Sequence, residues 1–117
     1  MSIEKFEQLE AWKGAHNLVL DVYRNTKSLP PDERFGLVSQ MRRAAVSVPA
    51  NIAEGFKRRT RPDKRHFYNI AQASLEELRY YFILSRDLGY KLEHGALLEN
   101  GDRAARILYG LVKAVSD

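Results

Sequence analysis

The stretch that decides the reading is Arg42-Arg-Ala-Ala-Val-Ser-Val-Pro-Ala-Asn-Ile-Ala-Glu-Gly-Phe-Lys-Arg-Arg59. Its apolar residues Ala45, Val48, Ile52 and Phe56 recur at three- and four-residue intervals, as on one face of a helix. With Phe35, Val38 and Met41 before them they form a single inner stripe. Pro49 lies inside that pattern, where it removes a backbone hydrogen bond and crowds the carbonyl of Ala45. A kinked helix held by its neighbours is expected there, with a break into two short helices as the alternative. At 100° per residue Arg43, Ser47, Ala50 and Glu54 fall on the side away from the stripe, flanked by Ala44 and Asn51. Between its two charges that outer face is small and smooth, a surface on which another helix can lie close.

Three more helices follow by working outward. Leu9, Trp12, Leu18, Val19, Val22 and Tyr23 have helical spacing, and Ser28-Leu-Pro-Pro31 ends that pattern, with Pro31 suited to the first turn of the next helix. Thr60, followed three residues later by Asp63 and with Pro62 between them, reads as an N-cap for a third helix. Its inner stripe is Phe67, Ala71, Ser74, Leu75, Leu78, Tyr81, Phe82 and Ser85, and Gly89 is placed to end it. A fourth helix is predicted from about Leu97 to Val115, with Leu98, Ala105, Leu108, Leu111 and Val112 inward. Four long helices with short connections predict an all-α, antiparallel up-down-up-down bundle occupying residues 1–117 as one domain.

The third helix also has an outer face that is too apolar for a monomer. Asn69, Ala73, Glu76, Tyr80 and Ile83 share it, with Leu84 beside them. The two outer faces together predict a homo-oligomer whose contact surface includes Arg43, Ser47, Ala50, Asn51, Glu54, Tyr80 and Ile83. Arg43 and Glu54 stand three turns apart on one helix, so each is expected to meet a partner across the interface or to remain a solvated charge.

Charge points to a second surface. The chain carries a formal net charge of +4, and the cations are unevenly spread. Lys57, Arg58, Arg59, Arg61, Lys64 and Arg65 crowd the junction of helices two and three against one acid, Asp63, whereas the first ten residues are comparatively acidic. Such asymmetry favours an anionic partner, with nucleic acid the commonest, although a solvated loop has the same composition. Phosphate contacts there would supply affinity with little sequence preference. Tyr68 follows the cluster and either stacks on an unpaired base or packs internally, while Phe67 is assigned to the core. In a cyclic oligomer the cations would repeat around one rim.

Catalytic chemistry is missing from the sequence. There is no cysteine, which removes disulfides, thiol catalysis and thiolate metal sites, and agrees with a reducing cytoplasm. His16, His66 and His94 are isolated, and Asp63-x-x-His66 is half of the motif that a di-iron bundle needs twice. No phosphate-binding loop or nucleophile elbow occurs, and Glu76 and Glu77 point in different directions on their helix. The apolar runs are too short to span a membrane, and the N-terminus is charged where a signal peptide is apolar. A cytoplasmic, non-enzymatic protein without cofactor, metal or membrane association is expected.

Several blocks are similar to a known family. Phe6-Glu-x-Leu9-x-x-Trp12, Tyr23 with Pro30, Phe35-Gly36-Leu37-x-x-Gln40, the central Arg42–Gly55 block, Ser74-Leu75-x-Glu77-Leu78 and Leu88-Gly89-Tyr90 resemble the four helix bundle proteins. These are also called 23S rRNA intervening-sequence proteins, because some are encoded within insertions in bacterial large-subunit rRNA genes. The resemblance implies an antiparallel four-helix bundle, assembly into a five-subunit ring and no enzymatic activity. It also extends to the accessory variability proteins of diversity-generating retroelements, basic pentamers that bind RNA and partner a reverse transcriptase. The family often has Ser-Lys-Lys-Glu where this chain has Thr60-Arg-Pro-Asp63, which keeps the cap and strengthens the basic character. Two functions of different class follow: an RNA-binding or RNA-chaperoning oligomer, and an assembly module whose ring recruits a protein partner.

Overall fold

The computed structural model describes residues 2–116. Its four helices are α1 (Glu10–Thr26), α2 (Leu37–Lys57), α3 (Arg61–Asp87) and α4 (His94–Ala114), with single 3-10 turns at Phe6–Gln8 and Pro31–Glu33. The bundle measures 44 × 23 × 22 Å. A 27-residue helix is about 40 Å long, so α3 occupies nearly the full length and its neighbours must run back alongside it.

Cross-helix pairs show the alternating directions. Gln40 meets Tyr81 and Ser47 meets Ser74, so residue numbers rise along α2 while they fall along α3. Arg79 pairs with Asp102, and Arg65 reaches the carbonyl of Val115. Asp21 and Asn25 of α1 bond Asn100 and Glu93 in the same reversed order. Each helix packs on two neighbours, and the diagonal pairs make no close approach. This is the up-down-up-down bundle that the helical spacing predicts.

The local signals explain where the helices start and stop. Thr60 Oγ1 accepts the Asp63 backbone N–H at 3.2 Å, and Pro62 occupies the first turn of α3. Gly89 adopts φ +84°, the left-handed region, and Tyr90 N–H then bonds the Ser85 carbonyl. α2 continues through Pro49 without interruption, so the alternative of two short helices does not hold. Pro49 itself is buried, which places it among the neighbours that support the helix.

Val22, Met41, Val48, Ile52, Leu75, Leu78, Phe82, Leu97 and Leu108 are the heart of the core, all at most 1% exposed. Burying each such side chain stabilises the fold by about 1.5–3 kcal/mol. α2 and α3 approach closely because small groups lie between them: Ser47 Oγ and Ser74 Oγ are 2.7 Å apart, and Asn51 Nδ2 donates to the Ser47 carbonyl at 2.8 Å. At Gly55 an added Cβ would sit 2.5 Å from Tyr68 Cε1, so the tyrosine ring lies directly on the glycine.

Four expectations are corrected. Phe35 is 87% exposed, because the turn at Pro31–Glu33 and the non-helical Gly36 place it ahead of α2. For the same reason Pro31 opens that separate turn instead of α2, which begins at Leu37. Tyr23 is 39% exposed and covered by the Arg42 guanidinium, 4.5 Å from its ring, instead of lying inside. α4 begins at His94, one turn earlier than its apolar spacing suggests, and Leu97, Gly101 and Ala104 join Leu108 on its buried stripe.

Candidate nucleic-acid interface

The turn between α2 and α3 is only three residues long, so the cations on either side of it are carried to one tip of the bundle. Six candidates do gather there, but they divide by what they touch. Lys57 and Arg59 are exposed, and among the described residues no carboxylate pairs with either. Arg61 is exposed in the first turn of α3. Arg58 donates from Nη2 to Glu54 Oε2 at 3.0 Å and lies 4.5 Å over the Phe67 ring.

Lys64 and Arg65 serve the fold. Lys64 Nζ donates to the carbonyls of Phe56 at 2.7 Å and Gly55 at 3.3 Å, closing the C-terminal end of α2. A cation there satisfies orphan carbonyls and opposes the negative end of the helix dipole. Burial holds its ammonium below the ordinary lysine range. Arg65 Nη1 donates to the Val115 carbonyl at 2.7 Å and fastens the end of α4 to α3.

Tyr68 is not available to a nucleobase. It is 2% exposed, and burial pushes its hydroxyl above the ordinary tyrosine range. Tyr68 thus takes the internal-packing alternative, and the adjacent Phe67, assigned to the core, is only half-buried with Arg58 over its ring. The cause is Gly55, whose missing side chain leaves room for Tyr68 and none for a larger contact.

On the outer faces, Arg43, Ala50 and Glu54 of α2 and Tyr80 and Ile83 of α3 are exposed. Ser47 and Asn51 are half-buried and bonded to Ser74 and to each other. Glu54 is already paired with Arg58 along its own helix, so it would have to leave that pair to meet a partner chain. Beside this face lies a hollow of roughly 440 Å³ between α2 and the N-terminal turn, bounded by Phe6, Ala50, Ala53 and Phe56. It continues into an apolar hollow of roughly 270 Å³ floored by Val46, Pro49 and Ala50 and walled by Trp12, His16 and Val19. The Trp12 and His16 rings stack at 4.8 Å along that wall.

Two surface cations near the tip have no counterpart among the residues that the sequence singles out. Arg106 and Lys113 are exposed on α4, one on either side of Tyr109, which is 59% exposed. Their spacing of three and four residues is the available signal, but no local charge run marks it. Among the described residues no group of three or more His, Cys, Asp or Glu could hold a metal ion, and no helix is long and apolar enough to cross a membrane.

Residues 7–110 match the sequence profile of a family described as 23S rRNA-intervening sequence protein. The chain belongs to that family. A similar solved structure is that of a protein with unknown function from the S23 ribosomal protein family of Bacteroides thetaiotaomicron VPI-5482. It is 20% identical, superposes with a TM-score of 0.80, and the match covers 88% of this chain and 98% of that one. At that identity the likeness shows the shared bundle fold. No curated protein matches the chain.

Proposed function

We propose that this member of the 23S rRNA-intervening sequence family is a non-enzymatic, cytoplasmic homo-oligomer that binds RNA through its basic tip. The observation that carries the reading is the tip itself, where Lys57 at the end of α2 and Arg59 on the three-residue turn stand exposed beside Arg61. Neither Lys57 nor Arg59 is in an ion pair among the described residues, although Glu4, Glu7 and Glu54 border the same hollow as Lys57. Repeated around an oligomer, these cations would form a rim of strong positive potential from a modest net charge. Five subunits is the number that the family resemblance implies, and the outer faces with Arg43, Ala50, Tyr80 and Ile83 are the surfaces for that association. A second reading, an assembly module that recruits a protein partner such as a reverse transcriptase, is favoured by the apolar hollow beside α2, which offers more contact surface than phosphate binding requires.

The test is binding of structured RNA over a salt series. Log affinity should fall linearly with log salt, and Lys57→Ala with Arg59→Ala should flatten the slope by about one for each phosphate no longer neutralised. Lys64→Met should leave the slope unchanged. Equal binding by the wild type and the double variant would sink the basic tip as the site. On a sizing column Arg43→Glu should shift the protein towards smaller species, and an unchanged elution volume would remove Arg43 from the interface.

A further inference from the structure

The exposed aromatic residues differ in what surrounds them. Phe35 is at the other end of the bundle, with the Arg34 guanidinium 5.3 Å over its ring and Asp32 and Glu33 just before it. Tyr80 leans on Tyr81 at 5.8 Å, with Glu76 and Glu77 in the preceding turn. Tyr23 is covered by Arg42. Tyr109 has no ring partner, covering cation or hydroxyl hydrogen bond among the described residues, and it is 59% exposed.

Its helix is also the right sign. From Arg103 to Lys113, α4 carries three cations and no carboxylate. Arg103 pairs with Glu99, whereas Arg106 and Lys113 are exposed at three residues before and four after Tyr109, the spacings that bring side chains together on a helix surface. Gly110 follows the tyrosine directly. A Cβ there would meet nothing within 4 Å, as at Gly14 and Gly95, so the backbone beside the ring is open surface. The result is a bare patch of backbone next to an open aromatic face, with a cation on either side. Arg65, bonded to Val115, fixes this end of α4 beside the basic tip.

We propose that Tyr109 is a stacking platform for an unpaired base of single-stranded RNA, with Arg106 and Lys113 holding the flanking phosphates and Gly110 admitting the base to the helix surface. The proposal rests on the RNA-binding reading and extends it from the tip on to the outer face of α4. Single strands are specified because a ring can stack only on a base face that pairing and stacking have not already covered.

The test compares anisotropy of a labelled oligouridylate with that of a fully paired RNA duplex of equal length. Tyr109→Ala should weaken oligouridylate binding about tenfold, the usual scale for one base–aromatic stack, and leave duplex binding unchanged. Tyr109→Phe should retain wild-type affinity, because the ring and not the hydroxyl is used. Gly110→Leu should weaken oligouridylate binding by covering the patch. Wild-type affinity in Tyr109→Ala, or equal loss for both RNAs, overturns the platform while leaving RNA binding at the tip intact. Failure of the wild-type protein to bind either RNA overturns both readings.

Discussion

The two ends of the bundle are held by different chemistry. At the end where α1 and α3 finish, polar side chains form a cross-linked layer. Asn25 Oδ1 accepts the Glu93 backbone N–H at 2.9 Å, Arg42 Nε donates to Thr26 Oγ1 at 3.0 Å, and Glu33 accepts from Tyr90 Oη at 2.6 Å and from the Leu37 N–H at 3.1 Å. At the opposite end, Lys64 and Arg65 close the carbonyl termini of α2 and α4, while Lys57 and Arg59 have no carboxylate partner among the described residues. One end ties its buried polar groups to one another, although Lys27, Arg34 and Lys91 are exposed there too. The other uses Lys64 and Arg65 for the fold and gathers Lys57, Arg59 and Arg61 within five residues of chain.

The sharpest way to break this contrast is with aromatic residues. Tyr68→Ala, at the basic end, should destabilise the protein by about 3–5 kcal/mol, the range for emptying a large buried aromatic site. Phe35→Ala, at the cross-linked end, should stay within about 0.5 kcal/mol because the ring is 87% exposed. Urea titration of the two variants checks this. A large loss for Phe35→Ala would show that its ring is covered in solution by a neighbouring chain.

A smaller effect is expected at Asn25, which is 7% exposed. Asn25→Ala leaves the Glu93 N–H without its acceptor and should cost about 1–3 kcal/mol. An unchanged urea midpoint would mean that water replaces the amide freely and that the cross-linked layer is no stronger than the basic end.

The smallest effect is in pH dependence. The hydrogen bonds from Tyr90 and Leu37 hold the Glu33 carboxyl below its ordinary value of 4.5. The unfolded chain therefore takes up this proton first, so the stabilisation is full above about pH 4.5 and is lost as pH falls through the folded value. Burial, and then the charge of Arg86, hold the His94 imidazole below its ordinary 6.5. Again the unfolded chain protonates first, and stability declines as pH falls below about 6.5 towards the folded value. Thermal unfolding against pH should show both acid limbs, and Glu33→Gln should flatten the lower one. An unaltered lower limb would remove Glu33 from the acid response.

The fold was legible where a residue acts on its own backbone or through a long period. Thr60 caps, Gly89 turns and the stripes of α2 and α3 sort inside from outside without knowing the partner helix. Legibility failed where the answer depended on a neighbour. Phe67 and Tyr68 are about 100° apart on one helix, and Gly55 on another decides which ring goes in. Phe35 continues the α2 spacing on paper, but the break at Gly36 removes it from the helix. The candidate site was legible as a position, since the charge run does reach one tip. Its division into carbonyl-capping and outward-facing cations was not, because charge alone does not reveal that Lys64 Nζ lies 2.7 Å from a carbonyl.

α3 links the two ends as a single rod, capped by Thr60 at the basic tip and by Gly89 at the cross-linked layer. In mechanical terms it is a lever about 40 Å long, so a tilt of about 5° at its fixed end displaces the other by about 3 Å. The polar layer is thus the mounting that aims the cations. A tilt set at Tyr90 or Glu93 would load the Lys64 and Arg65 bonds at the far end of the rod, and these resist the movement of Arg61.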